Sequence, residues 1–250
     1  MEENNKDIPQ ENAVPQTDAQ AETEQEQTVQ EQAVQEETVQ EQKKSIGREI
    51  FEWVYSIAIA VAIAMLIKGF LFDLVKVDGQ SMEKTLFNND RLIVTKLGYE
   101  PKQGDIIILD SNYTRRDEYY DMLAAREGKD ELSWAEKLAN SFSLPNNCKK
   151  VYYVKRVIAV EGQTIDIKDG NVYVDGNVID EPYANGETYI TDSSVEYPQT
   201  VAEGCVFVMG DNREHSSDSR VSSLGQVKVG AVLGKSQIRI YPFNSISLTK

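Results

Sequence analysis

Serine and lysine are the residues of this chain that could carry out covalent chemistry together. A serine hydroxyl is a poor nucleophile at neutral pH and needs a base within hydrogen-bond reach. The chain has one histidine, His215, so a Ser-His-Asp triad would need that residue as its base, and nothing else in the sequence supports one. A lysine can serve instead if burial in an apolar pocket lowers its pKa from roughly 10.4. The single histidine also argues against most zinc sites.

Lys155 and Ser81 lie in the segments best suited to such chemistry. Lys155 belongs to Val151–Ile158, a run of mostly apolar, strand-forming residues. Alternation along a strand points Lys155 and Arg156 to opposite faces, so one can be buried while the other meets solvent. Ser81 stands in a turn after Gly79, at the end of a shorter β run. By these patterns alone, Lys155 could equally be a snorkelling lysine at a sheet edge, and Ser81 an ordinary turn residue.

Most of the chain after residue 74 consists of short β runs separated by turns. The runs are Val75–Val77, Arg91–Lys96, Asp105–Asp110, Val151–Val160, Thr164–Lys168, Asn171–Val174, Asn177–Ile179, Cys205–Met209, Ala231–Leu233 and Gln237–Tyr241. Asp169-Gly170 and Asp175-Gly176 stand at hairpin-turn positions. Tyr113–Phe142 looks helical or irregular instead. The sequence therefore predicts a mainly β domain of antiparallel sheets at 73–250, with a small helical insertion at 111–149.

An apolar segment, Ile50–Phe72, precedes this domain. Trp53–Ile67 carries no charge, and the amine of Lys68 can snorkel to the membrane interface. Basic residues stand before the segment, at Lys43, Lys44 and Arg48. We expect a transmembrane anchor at 48–72, with its N-terminal side in the cytoplasm and 73–250 outside. The alternatives are a cleaved secretory signal, against which the long acidic stretch before the segment argues, and a core helix that is apolar on all faces.

The acidic charge is concentrated ahead of the anchor. The formal net charge is -15, and residues 1–42 hold 12 Asp and Glu against one Lys. A Glu- and Gln-rich repeat of five residues fits neither a helix nor a strand, so 1–47 is predicted to be a disordered cytoplasmic tail. The acidic balance argues against a nucleic-acid partner. Cys148 and Cys205 match no metal spacing; they could pair or remain separate thiols.

Three segments together resemble the signature of the type I signal peptidases, the bacterial leader peptidases that use a lysine as base. The segments are Gly79-Gln80-Ser81-Met82, Tyr153-Val154-Lys155-Arg156-Val157 and Met209–Arg220. They follow a single anchor in the family's order, and the last is long and highly specific. The resemblance covers roughly 48–110 and 150–242. It implies a signal-peptidase-like β domain.

The resemblance implies a role for each matched residue. Ser81 would be the nucleophile, Lys155 the base, and Ser216 would hydrogen-bond the Lys155 amine and orient it. The backbone N–H of Ser81 would donate to the oxyanion. A supporting ionic network would be formed by Asp211, Arg213, Asp218 and Arg220. Shallow pockets for alanine-sized side chains would be lined by Val75, Val77, Met82, Leu86, Leu92, Ile108 and Val154. The Ser81 strand and the strand at 105–109 would flank an extended substrate.

The implied function is that of a membrane-bound serine endopeptidase. It would cleave N-terminal signal peptides from exported preproteins after small residues, in an Ala-x-Ala pattern. Its partners would be those signal peptides and the lipid bilayer, and no metal or other cofactor is implied.

Two departures from the family pattern keep alternatives open. Lys84 occupies the position of the family's usual proline, so that Ser81 and Lys84 form a Ser-x-x-Lys motif like that of penicillin-recognising enzymes. The other motifs of those enzymes, and their helical domain, are absent from the sequence. Gly79 lacks the hydroxyl that some members use as a second oxyanion donor. A relative of the Ser-Lys self-cleaving repressors and a membrane-tethered β scaffold with an inert dyad are the remaining alternatives.

Overall fold

A computed structural model of the chain describes residues 48–249. The tail predicted for 1–47 lies outside the described residues. The chain separates into two units, Met1–Ala64 and Met65–Lys250, and every strand belongs to the second. Within 48–249 one helix, α1 (Arg48–Leu71), is long and apolar enough to cross a membrane. None of its residues is buried, and its last turn, Ile67–Leu71, is π-helical.

Within residues 48–249, twelve strands form two antiparallel sheets, which confirms the predicted fold class. The strands are β1 (Phe72–Lys76), β2 (Arg91–Thr95), β3 (Ile106–Asp110), β4 (Tyr152–Val160), β5 (Thr164–Lys168), β6 (Asn171–Val174), β7 (Asn177–Val178), β8 (Gln199–Thr200), β9 (Cys205–Met209), β10 (Val227–Lys228), β11 (Val232–Tyr241) and β12 (Ser247–Leu248). The larger sheet has the order β1-β2-β11-β3-β4-β9-β10, with β12 also beside β11. The smaller sheet has the order β7-β6-β5-β8.

Strand β11 differs most from the sequence prediction, which has two short runs in its place. Gly234 falls between those runs and looks like a turn residue. A Cβ at this position would lie 2.1 Å from the backbone oxygen of Thr95. The glycine therefore permits a close approach of two backbones, and β11 continues through it with irregular register on both sides. The strands β8, β10 and β12 are missing from the prediction because two residues carry no periodic pattern.

The hairpin turns of the smaller sheet are as predicted. Asp169 and Gly170 have φ values of 51° and 77°, and Asp175 and Gly176 have values of 50° and 79°. Two consecutive positive φ values are typical of the tight turns that match the twist of paired strands.

Strand β3 is buried at all five positions because both faces of the sheet are covered. Ile106 and Ile108 pack into a cluster with Met82, Leu86 and Leu92. On the other face, Ile107 and Leu109 pack with residues of β4 and β9, namely Val157, Val206 and Val208. The first cluster lies directly beneath the turn that carries Ser81.

The insertion connects β3 to β4 and contains two helices, α2 (Tyr113–Arg126) and α3 (Trp134–Ser141). Asp110, the last residue of β3, forms hydrogen bonds with backbone groups at both ends of the insertion. Its Oδ1 accepts hydrogen bonds from the backbone N–H groups of Asn112 and Val151, at 3.1 and 3.3 Å. Its Oδ2 lies 2.6 Å from a guanidinium nitrogen of Arg116. Cys148 and Cys205 are free thiols.

Candidate active site

Ser81 lies in a tight turn that follows β1, here called the Ser81 turn (residues 79–86). Gly79 has a φ of 104° and its N–H donates to the side chain of Asn88 at 3.2 Å. The turn closes through a hydrogen bond from the Leu86 N–H to the Met82 carbonyl at 2.8 Å. Met82 and Leu86 are buried beneath it. The apolar residues of the turn thus fix its backbone while Ser81 stays partly exposed.

Lys155 meets Ser81 from strand β4. Its Nζ donates a hydrogen bond to Ser81 Oγ at 2.8 Å, and its side chain is buried, with 3% of the residue exposed. Burial lowers the pKa of Lys155 to about 8, against the opposing attraction of Asp218 and together with the repulsion of Arg220. The Tyr153 ring lies 5.2 Å from Nζ. This lysine therefore has the contact and the lowered pKa that a base for Ser81 requires.

Arg156 is buried as deeply as its neighbour, with 2% exposed. Its Nε and Nη2 donate to the two carboxylate oxygens of Asp211 at 2.8 and 2.7 Å, and its Nη1 donates to the Gly104 carbonyl at 2.8 Å. The expectation that either Lys155 or Arg156 would meet solvent is wrong, because structure covers both faces of β4.

The residues predicted as one ionic network form three ion pairs, and hydrogen bonds from Arg220 to the Arg213 carbonyl and from Arg213 to the Gly210 carbonyl connect two of them. Asp211 pairs with Arg156, and Arg213 donates two hydrogen bonds to the Glu181 carboxylate, at 3.0 and 2.6 Å. Asp218 accepts from Nε and Nη2 of Arg220, both at 2.9 Å, and from the backbone N–H of Gly210. Burial by itself raises the pKa of Asp218, but these hydrogen bonds outweigh it and keep that pKa low.

The predicted hydrogen bond between Ser216 and Lys155 is not formed. Ser216 Oγ is buried and has no hydrogen-bond partner of good geometry, although the hydroxyl lies close enough to Asp218 to help lower the pKa of that carboxylate. A Cβ on Gly210 would lie 2.2 Å from this hydroxyl and 2.4 Å from the Ser81 carbonyl oxygen. Ser216 therefore packs against the Gly210 backbone, and only glycine fits between it and Ser81.

Asn212 joins the same segment to the Ser81 turn. Its backbone N–H donates to the Ser81 carbonyl at 3.0 Å, and its side-chain amide donates to the Gln80 carbonyl at 3.1 Å. On its other side, Asn185 bonds to the backbone of Asp211 and Arg213 at 2.7 and 2.9 Å. The sequence motifs give Asn212 no individual role, yet its two hydrogen bonds connect the Gly210–Arg220 segment to the backbone of the Ser81 turn.

The second lysine near Ser81 has other partners. Lys84 Nζ donates to the carbonyls of Pro182 and Ala184 at 3.0 and 3.2 Å. Lys84 also adopts a φ of 90°, which is rare for a residue with a side chain. The Ser81 hydroxyl is thus bonded to Lys155 and not to Lys84, contrary to the Ser-x-x-Lys alternative.

A groove of about 540 Å³ opens over Ser81 and Lys155. Of the predicted pocket residues, Val75, Val77, Met82 and Val154 line it. The remaining three do not: Leu86, Leu92 and Ile108 are core residues beneath the groove. Lining residues that the prediction lacks include Tyr152, Tyr153, Leu233, His215 and Ser217. A run of apolar residues does not distinguish a groove wall from the core under it, which explains both errors.

Two backbone edges border the groove. In the described part of the chain, β1 is the terminal strand of the larger sheet and pairs only with β2. Tyr152–Lys155 pairs with β3 alone, since the pairing of β4 with β9 starts at Arg156. Strand β3 pairs on both sides, with β4 and β11. The predicted role of residues 105–109 in flanking the substrate is therefore wrong, because that strand has no free edge.

A serine with a buried lysine as its hydrogen-bond partner, in a groove between strand edges, defines a class of site suited to peptide hydrolysis. The comparisons with known proteins agree. Residues 50–241 match the family described as signal peptidase, peptidase S26. Signal peptidase I of Bacillus licheniformis is 36% identical over 83% of this chain and 98% of its own length. Signal peptidase I S of Bacillus subtilis (strain 168) is 32% identical over 81% and 95%.

The chain belongs to this signal peptidase family, as its motifs predict. It is a serine endopeptidase whose substrates are preproteins that carry signal peptides. A crystal structure of a signal peptidase I from Enterococcus faecalis V583 matches 55% of this chain and 97% of its own, at 24% identity and a TM-score of 0.34. That score is too low to bear on the fold.

Proposed function

We propose that the chain cleaves signal peptides by a Ser-Lys dyad, with Ser81 as nucleophile and Lys155 as general base. The observation that carries the proposal is the 2.8 Å contact between Lys155 Nζ and Ser81 Oγ at a buried position. Burial supplies the lowered pKa, which leaves about a tenth of such lysines neutral at pH 7. A neutral amine accepts the proton that Ser81 must lose.

The reaction would proceed in two proton-transfer cycles. Lys155 takes the hydroxyl proton as Ser81 Oγ attacks the scissile carbonyl, and the resulting ammonium gives that proton to the leaving amine. The acyl-enzyme ester is then attacked by a water that Lys155 deprotonates, and the proton returns to Ser81 as the ester bond breaks. Among the described residues, none accepts a hydrogen bond from the Ser81 backbone N–H. That group is available to stabilise the oxyanion in both steps.

The substrate would bind as an extended strand between the two open edges of the groove. β1 and Tyr152–Val154 both offer backbone groups without a strand partner on that side within the described chain. Strand addition of this kind supplies affinity through the backbone, and pockets select alternate side chains. Val75, Val77, Met82 and Val154 make the groove wall apolar, which suits small side chains in an Ala-x-Ala pattern.

Helix α1 would span the membrane with its N-terminal side in the cytoplasm. Its length and apolar character fit a spanning helix, and Lys43, Lys44 and Arg48 place the positive charge on that side. The domain after α1 then lies on the outer face, where the cleavage regions of exported preproteins emerge.

The test uses the full chain in detergent with a preprotein whose signal peptide ends in Ala-x-Ala. Ser81→Ala and Lys155→Ala should both abolish cleavage, because one removes the nucleophile and the other the base. Lys84→Ala is the matched control, since it removes a second lysine from the same neighbourhood. Near-normal turnover by Lys155→Ala, with loss in Lys84→Ala, would show that the base is assigned incorrectly.

A further inference from the structure

Helix α3 is amphipathic with its apolar side outward. Trp134 is 79% exposed, Leu138 55% and Phe142, which ends the helix, 86%. These residues are four apart and therefore lie on one side of the helix. Ala135 and Ala139 are exposed beside them. These five residues are called the apolar face of α3.

The polar side of the same helix contacts the rest of the insertion. Glu136, Lys137 and Asn140 are half-buried. The Lys137 carbonyl accepts a hydrogen bond from the Tyr120 hydroxyl of α2 at 3.2 Å. Ser133 and Glu136 form a capping box at the N-terminus, so the helix is well terminated. A helix on a soluble surface has the opposite arrangement. The apolar face is therefore built to meet an apolar surface outside the domain.

The position of the insertion indicates which surface this is. The chain enters β1 at Phe72, directly after α1, and β1 runs parallel to β4 because the strands between them alternate in direction. The insertion leaves the sheet at Asp110 and returns at Tyr152, and these two residues are paired. Phe72, Asp110 and Tyr152 thus lie at one end of the larger sheet. Tyr241, which pairs with Arg91, lies at the other end.

We propose that the apolar face of α3 rests in the lipid interface as a second membrane contact of the catalytic domain. The inference rests on the proposed role of α1 as a membrane anchor, because connectivity then brings this end of the sheet to the bilayer. Tryptophan is a residue that favours the interfacial zone. The insertion at 111–149 has six basic and seven acidic residues, so its binding would be driven by apolar burial and not by anionic lipid.

The two tryptophans of the chain, Trp53 and Trp134, allow a direct test. The full chain carrying Trp53→Phe is reconstituted into phosphatidylcholine vesicles, where Trp134 is the only indole. We expect Trp134 to lose about half of its emission to lipids brominated near the headgroup, and to be shielded from aqueous acrylamide. The same result is expected when phosphatidylglycerol is added.

A matched control moves the indole to the other end of the sheet. Phe243 is 79% exposed, the same fraction as Trp134. In a chain with Trp53→Phe, Trp134→Phe and Phe243→Trp, the indole should be quenched by acrylamide and not by the brominated lipid. Quenching of Trp134 by acrylamide alone would overturn the proposal. So would shielding without lipid quenching, which would indicate a protein partner instead.

Failure of the anchor and failure of the α3 contact give different results. If the chain does not float with vesicles, the anchor proposal itself fails. If it floats and Trp134 remains accessible to acrylamide, only the α3 contact fails.

As a functional readout, the triple change Trp134→Ser, Leu138→Ser and Phe142→Ser should slow preprotein cleavage in vesicles about threefold. The triple change should leave peptide hydrolysis in detergent unchanged. The control Phe243→Ser should leave both preprotein cleavage in vesicles and peptide hydrolysis in detergent unchanged.

Discussion

Two lysines lie near Ser81, and their surroundings differ in almost every respect. Lys155 comes from the middle of a sheet, is 3% exposed and donates to the Ser81 hydroxyl. Lys84 comes from the Ser81 turn itself, is exposed and donates to two loop carbonyls. The first has a pKa lowered by burial. Lys84 is three positions from Ser81 in the sequence, but the lysine that contacts the Ser81 hydroxyl is 74 positions away, as the family motifs predict.

The difference shows that the environment determines what an amine near a serine can do. An exposed amine with carbonyl partners links the turn to a neighbouring loop, whereas an amine removed from water can become neutral and accept a proton. Five predictions test this contrast, and they are given in order of expected effect.

Lys155→Met should lower kcat by about 1,000-fold or more, because removal of a general base typically costs two to four orders of magnitude. The same change should raise the free energy of unfolding at pH 7 by roughly 2 kcal/mol, since it removes a buried charge. Chemical unfolding and preprotein turnover on one preparation would measure both effects. A variant that is inactive and also less stable would indicate a structural role for Lys155.

Asp211→Asn should destabilise the domain by about 3–5 kcal/mol, because it leaves the buried Arg156 guanidinium without a counter-charge. Thr85 would lose a strong acceptor as well, since its hydroxyl donates to Asp211 at 2.5 Å. The melting temperature reports the effect. The double variant Arg156→Met with Asp211→Leu should regain much of the lost free energy of unfolding, because it removes both buried charges. If its stability stays low, the pair contributes more to the fold than the mutual neutralisation of the two charges.

Lys84→Pro restores the family's usual residue and should nevertheless destabilise this chain. Proline fixes φ near -65°, and Lys84 has a φ of 90°. We expect a loss of about 3 kcal/mol in the free energy of unfolding, measured by denaturant titration. Lys84→Gly is the control, because glycine accepts this backbone conformation and should retain the fold.

The pH dependence of kcat/KM should follow the titration of Lys155. Since burial lowers its pKa to about 8, activity should rise about tenfold per pH unit below that value and level off above it. The linked effect on stability has a definite sign. The unfolded lysine keeps its proton up to roughly pH 10.4, so the unfolded state binds more protons above pH 8, and stability rises with pH in this window. A flat profile between pH 6 and 8 would contradict the proposed base.

Lys84→Met should reduce kcat/KM by only a few-fold. It removes two hydrogen bonds from an exposed amine, worth about 1 kcal/mol in total after solvent competition, and loosens the link between the Ser81 turn and Pro182. The pH profile should keep its shape, because Lys155 is untouched. A shifted profile in this variant would show that Lys84 influences the titrating group directly.

Much of the site could be predicted because its motifs are local. Ser81, Lys155 and the segment ending at Arg220 are recognisable in the sequence, and the fold brings the first two into contact. The partners of the supporting charges could not be predicted so well. Arg156 is adjacent to Lys155, yet strand alternation suggested that one of the two could meet solvent. Glu181 stands in an irregular loop with no pattern to link it to Arg213.

The walls of the groove could be predicted only in part. Val75 and Val77 line the groove, but Leu92 and Ile108 have the same apolar character and lie in the core. Only the strand order separates them, and strand order depends on pairings between distant segments. For the same reason, the sequence could not show that β3 has no free edge for a substrate, since this depends on its pairing with β4 and β11.

The three buried ion pairs have a consequence for how this chain can change over generations. Loss of either member of a pair strands a charge in the interior, whereas replacement of both by apolar residues is often neutral. We therefore expect single substitutions at Arg156 or Asp218 to be costly even when no reacting atom is touched. Coordinated double replacements are the route by which such positions could change, whatever the charges contribute to rate.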